Sequence, residues 1–212
     1  MKSARLSSAA LLVAIFATTG SAHRLDEYLQ ATRIAVEKDR IDLEIDLTPG
    51  AAVADRIVGA IDRDRNGEIS LTEKEMYAAT LLASLTLKVD SETRRLKISD
   101  LVFPSIDEMH RGEGVLRLRT TASIGRAKAG AHRLTFANAH WPDIGAYLVN
   151  ALVPTDERVH ITGQSRDHLQ REFTLDYNVS TGRASVPLAS VLPVLLSLTL
   201  AATLYAVARR LP

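Results

Sequence analysis

Residues 62–73 read Asp-Arg-Asp-Arg-Asn-Gly-Glu-Ile-Ser-Leu-Thr-Glu, with oxygen-bearing side chains at places one, three, five, nine and twelve and a glycine at place six. Short side chains on alternate residues can converge on one point, and a glycine permits a sharp turn that a side chain would obstruct. Carboxylate, amide and hydroxyl oxygens, with no sulfur among them, are the donors of a hard divalent cation. The whole chain lacks cysteine, which excludes thiolate metal sites, thiol catalysis and disulfide staples together.

Such a loop needs an element on either side to hold its ends. Residues 51–61 place Val53, Ile57, Val58 and Ile61 at helical spacing, and residues 72–85 do the same with Met76, Tyr77, Leu81, Leu82 and Leu85. Helix, loop and helix between Ala51 and Leu85 together resemble an EF-hand. That resemblance implies Ca²⁺, held by Asp62, Asp64 and Asn66, the backbone carbonyl of Glu68, Ser70 through water, and both carboxylate oxygens of Glu73. Ile69 stands at the place of the apolar residue that pins the loop to a neighbour.

Three departures from the EF-hand pattern argue for weak binding. The chain contains one such loop, whereas EF-hands come in pairs; Lys74 follows the closing Glu73 where a large apolar residue is usual; and Arg63 and Arg65 reduce the local negative field. The expected affinity is that of extracellular modules, about 10⁻⁴–10⁻³ M. Pairing of two chains through the insert would restore a two-loop lobe, so a homodimer is one expectation.

Around the insert the pattern changes to a period of two. Residues 31–47 read as two strands turning near Lys38-Asp39, and five or more further segments alternate Val, Ile, Leu or Thr with polar residues. Roughly seven to nine half-buried strands predict a mostly β fold, an antiparallel β-sandwich carrying the inserted helix–loop–helix. The stretch from His140 to Pro154 is apolar and bounded by prolines but does not read as a regular strand; it is expected as core under a loop or as a binding loop.

The two ends place this domain outside the cytoplasm. Residues 1–22 have a short basic start, an apolar run and small residues before His23, the layout of a signal peptide. Residues 187–208 are free of charge and are followed by Arg209 and Arg210, which predicts one transmembrane helix with residues 209–212 in the cytoplasm. The tail is also similar to the C-terminal sorting signals of some bacterial surface proteins. The expected organisation is a signal peptide (1–22), an exported β-rich domain (23–180) with its insert (51–85), a linker (181–186) and the membrane helix. A net charge of +1 with no basic block gives no indication of nucleic acid.

The histidines carry a rival reading. On cleavage after Ala22, His23 would offer an α-amine and an imidazole to a transition metal. The start His-Arg-Leu-Asp-Glu-Tyr-Leu-Gln-Ala resembles the periplasmic start of hydrogenase/urease-accessory nickel–cobalt permeases, which implies an accessory role in nickel, cobalt or copper transport. His110, His132 and His140 lie in or near turns with acids close by in sequence, the material of a cleft if they meet. His168 and Glu172 stand four apart where no helix is expected, which removes zinc-protease geometry. Asn178-Val179-Ser180 fits a glycosylation sequon and is discounted in a bacterial-looking chain. With no nucleophile elbow, phosphate loop or dinucleotide fingerprint, the expected function is not enzymatic: a calcium-binding, membrane-anchored module in which the ion orders the insert and presents a surface to a protein partner.

Overall fold

The computed structural model describes residues 26–181; the leader, His23, the remainder of the linker and the apolar segment 187–208 lie outside the described residues. Among the described residues no helix is long and apolar enough to cross a membrane. The chain begins with a hairpin, β1 (Tyr28–Val36) and β2 (Arg40–Pro49), followed by α1 (Ala54–Ile61) and α2 (Leu71–Ala83). It continues through β3 (Leu85–Val89), β4 (Glu92–Thr93), β5 (Lys97–Val102), α3 (Ile106–His110), β6 (Leu116–Ser123) and β7 (Gly130–Asn138). The last strands are β8 (Gly145–Ala151), β9 (Val159–Arg166) and β10 (Glu172–Val179).

These strands form two five-stranded sheets, β5-β6-β2-β1-β8 and β4-β3-β7-β10-β9. Strict alternation drives the arrangement. In β1 the even positions from Tyr28 to Val36 are buried, and in β2 the odd positions from Ile41 to Leu47. The pairing Tyr28↔Pro49 through Val36↔Ile41 puts both sets on one face. That face packs against the second sheet, so Ile34, Leu43 and Ala122 share one cluster with Leu87, Phe136 and Leu175. The mostly β expectation holds, and two facing sheets with a common core are consistent with a β-sandwich.

Two expectations need correction. One ladder is parallel: β8 pairs with β1 in the register Tyr28↔Gly145 through Ile34↔Ala151. The stretch after Trp141, expected to be irregular, is therefore a strand at the edge of the first sheet. Its period of two is hidden because the outward Leu148 is as apolar as the inward Tyr147 and Val149. The edge is covered in part by Arg166, whose Nε donates to the Val149 carbonyl at 2.7 Å while an Nη donates to Asn150 Oδ1 at 2.8 Å.

The helices are shorter than their sequence spacing suggests. Residues 51–53 form a turn before α1, and Leu85 already belongs to β3. Ala54, Ile57 and Ile61 are the buried residues of α1, and Glu73, Tyr77, Ala78 and Leu81 those of α2, whereas Met76 points outward. Both helices pack with Met109 of α3 over Ile45, Leu47, Leu116 and Leu118, extending the core past one end of the sheets. The strand registers put this insert at one pole. The β1–β2 turn, the β6–β7 loop and the end of β10 gather at the other, through Arg40↔Ser123 and Val179↔Gly130.

Candidate functional site

The loop between α1 and α2 is built outward from Asp62, the C-cap of α1. Its Oδ1 accepts from the Asn66 N–H at 3.1 Å and its Oδ2 from the Gly67 N–H at 3.0 Å, which closes the turn. Arg65 and Gly67 both take positive φ, 59° and 84°. The strain at Arg65 is the cost of that closure; at Gly67 there is none. Asp64 Oδ1 accepts a second bond from the Asn66 N–H, its Oδ2 accepts from Asn66 Nδ2 at 2.9 Å, and Asn66 Oδ1 accepts from the Glu68 N–H at 2.8 Å.

The far end closes on α2. Ser70 is the N-cap, and its Oγ accepts from the Glu73 N–H while the Glu73 carboxylate accepts from the Ser70 N–H at 2.9 Å, a capping box. The same device starts α3 at Ser105 and Glu108, so a capping box alone marks only a helix start. What separates Glu73 is the rest of its surroundings. Its Oε1 accepts from the Arg63 N–H at 2.8 Å, across the loop, and it is nearly buried. The Ser70 N–H, with the Ser70 hydroxyl and the Arg63 N–H, holds the Glu73 carboxyl below its ordinary range, so it is ionised at neutral pH.

The result is a cluster in which one oxygen each from Asp62, Asp64 and Glu73 lies within 4.8 Å of the others. Oxygens bound to one cation are separated by no more than twice the metal–oxygen distance, about 5 Å at most for a divalent ion, so these three could hold a metal ion between them. Asp62 and Glu73 are buried and Asp64 is exposed, an inner and an outer side to the site. No basic residue occupies the last turn of α1, leaving its carbonyl-rich, partly negative end facing the same place. Of the six residues expected from sequence, three carboxylates converge. Ser70 touches Glu73, Asn66 touches Asp64, and Glu68 is held by its backbone N–H.

The other candidates do not meet. His110 Nε2 stands 3.1 Å from Asp55 on α1. His132 lies eight residues before His140 along the β7 segment and near the opposite pole, bonded to Asp90. His160 is on β9, and His168 is in the turn before β10. A cleft assembled from His110, His132 and His140 is therefore not formed.

His140 instead joins a buried polar cluster that sequence reasoning passed over. Tyr77 Oη lies 2.8 Å from Tyr28 Oη and 3.1 Å from His140 Nε2. Gln30 Nε2 donates to the His140 carbonyl at 2.7 Å and its Oε1 accepts from Asn138 Nδ2 at 3.0 Å. Asn138 Oδ1 accepts from the His140 N–H at 2.9 Å, and Tyr147 donates to the same carbonyl at 2.7 Å. A polar Gln30 at an inward position of β1 is the one sequence signal that marked it. Burial pushes the His140 imidazole down to about 4, so the ring is neutral.

Beside this cluster runs a groove of about 530 Å³, between α1, α2 and residues 139–143. Arg63, the second residue of the loop, and Tyr77, one turn past Glu73, line it; Trp141, with the Arg56 guanidinium 4.4 Å over its ring, forms the rim. Comparison with protein-family models, with curated proteins and with solved structures finds no match.

Proposed function

We propose that the chain is a calcium-binding module whose ion sits between α1 and α2, held by Asp62, Asp64, Asn66, the Glu68 carbonyl, Ser70 and Glu73. The observation that carries this reading is the meeting of three carboxylate oxygens within 4.8 Å at the end of α1, on a loop with a glycine at its turn. When bound, the ion supplies charge neutralisation to the clustered carboxylates and a brace between the helices. The chain's own residues set the rest: Gly67 turns the loop, Ser70 orients Glu73, and the α1 terminus contributes a cation-favouring field. The apolar segment 187–208 and the leader 1–22 make this an exported, membrane-anchored module in our reading. The groove beside the insert is the surface it offers to a protein partner.

Calorimetric titration of calcium into the full chain tests the reading, with Glu73→Gln as the control. Glutamine keeps the capping geometry with Ser70 but loses the charge and one of two equivalent oxygens. Saturable binding with a Kd of about 10⁻⁴–10⁻³ M, absent in the control, is the expected result. No heat up to several Kd of calcium, or unchanged binding in Glu73→Gln, would sink it.

A further inference from the structure

At the pole opposite the insert, a pocket of about 270 Å³ lies between the β3–β4 turn, the β6–β7 loop and the end of β10. Its apolar floor is Val89, Ile124 and Ala127. Its polar wall is unusual in two respects, and each has a separate cause.

The first is a surplus of positive charge. Arg94, Arg126, Lys128 and His132 line the pocket against only two carboxylates, Asp90 and Glu92. Geometry requires His132 to be charged: Nδ1 lies 2.6 Å from Asp90 Oδ2 and Nε2 lies 2.7 Å from the Lys128 carbonyl, two acceptors that leave both nitrogens as donors. Asp90 is thereby occupied by His132 and by the Arg133 N–H, and Glu92 by an Arg94 Nη at 2.7 Å. The side chains of Arg126 and Lys128 have no carboxylate partner among the described residues.

The second is a pair of orphaned donors. Tyr177 is 1% exposed and its ring stacks on His132, centroids 5.3 Å apart, yet its hydroxyl has no hydrogen-bond partner. Arg94 Nε is likewise buried and unpartnered. A buried donor left unsatisfied costs about 1–3 kcal/mol, and each one in a native structure calls for a partner such as an ion or a water molecule. A water molecule would satisfy a donor but would not balance the charge. An anion with several acceptor oxygens does both.

We infer that this pocket binds a small oxyanion of the phosphate class, taken up between Arg126, Lys128 and the orphaned donors of Arg94 and Tyr177. The anion accepts from all four groups and neutralises the surplus charge. The same oxygens are presented by a free phosphate or by a phosphate monoester such as a headgroup. The site shares no residue with the calcium loop and stands independently of it.

The test is a thermal melt and a calorimetric titration of the full chain at pH 6. Orthophosphate and glycerol 1-phosphate are added separately, each against chloride at matched ionic strength. A saturable rise in melting temperature with phosphate, beyond that with chloride, is expected. Arg126→Gln with Lys128→Gln should weaken binding about tenfold or more, since hydrogen bonds to charged groups carry most of the affinity. Tyr177→Phe should leave the phosphate-free melting temperature unchanged or higher, because the lost hydroxyl had no partner, and weaken phosphate about fivefold. Tighter binding of the monoester assigns the site to esterified phosphate, and binding of orthophosphate alone assigns it to the free anion. No response beyond chloride to either probe, or an undiminished response in both sets of variants, overturns the inference.

Discussion

Tyr77 stands one helical turn past Glu73 on the buried stripe of α2, and its hydroxyl lies 2.8 Å from Tyr28 Oη and 3.1 Å from His140 Nε2. One face of a single helix thus carries a carboxylate of the cation cluster and a link to the first strand and to the 139–143 loop. Side chains at i and i+4 share a helix face, so a shift of α2 at Glu73 displaces Tyr77 as well. Trp141, the sole tryptophan of the chain, borders the groove that Tyr77 also lines.

Tyr77→Phe is expected to cost about 1–3 kcal/mol, because it leaves the Tyr28 hydroxyl and the His140 nitrogen without that partner in a buried setting. Urea denaturation measures this directly. In the wild-type chain calcium should change Trp141 fluorescence, and Tyr77→Phe should reduce that change while the heat of calcium binding persists. An equal fluorescence change in the variant would mean that the loop and the rim are not connected through this hydroxyl.

Stability should pass through a maximum near pH 6.5, because two histidines pull in opposite directions. Burial lowers His140 to about 4, so the unfolded chain takes up that proton first. The His140 contribution is complete above about 6.5 and is lost as pH falls toward 4, by up to about 3 kcal/mol. At His132 burial opposes the charged ring, but the Asp90 carboxylate and the Lys128 carbonyl outweigh it and raise the pKa. That contribution is complete below about 6.5 and is lost as pH rises through the raised folded value. Urea melts between pH 4 and 8 check both limbs: His140→Gln should flatten the acid side, and Asp90→Asn the alkaline side.

The outer face of the first sheet carries a ladder of ion pairs whose members should differ in weight. Asp46 is mostly covered and accepts from Arg33 at 2.6 Å and from Arg117 at 2.6 and 3.0 Å. Asp46→Asn should cost about 1–2 kcal/mol, since it weakens several charge-assisted bonds at once. Arg119 reaches Glu44 and Asp100 from a half-exposed position, and Arg119→Gln should cost less than about 1 kcal/mol. Equal losses in chemical denaturation would show that burial does not decide between them.

Gly145 opens β8 with its N–H donating to the Trp141 carbonyl at 2.8 Å. A Cβ at this position would lie 2.8 Å from the same carbonyl oxygen and against the Tyr147 hydroxyl. Tyr147 cannot move freely, because it donates to the His140 carbonyl. Gly145→Ala is therefore expected to destabilise by about 2 kcal/mol or more, read as a lowered urea midpoint, and to weaken the Trp141 response to calcium.

Sequence by itself determined the local elements of this protein. Alternation in residues 28–49 sets a hairpin with one buried face, since the period of a strand is two and a one-residue slip would expose Ile34, Ile41, Leu43, Ile45 and Leu47. Spacing in 62–73 sets a turned loop with its carboxylates on alternate residues, because the glycine, the capping serine and the acid three places on act within a few bonds of one another. Tertiary structure alone decided what depends on distant partners. That β8 runs parallel to β1 follows from their neighbouring positions in one sheet, which no local pattern encodes, and the apolar Leu148 masked the strand as well. Tyr77 reads in sequence as one more apolar residue of an amphipathic helix, and only its contacts with Tyr28 and His140, 49 and 63 residues away, make it a link. Arg94, Lys128, His132 and Tyr177 are likewise scattered along the chain and meet only because the β3–β4 turn and the β6–β7 loop close over β10 at one pole.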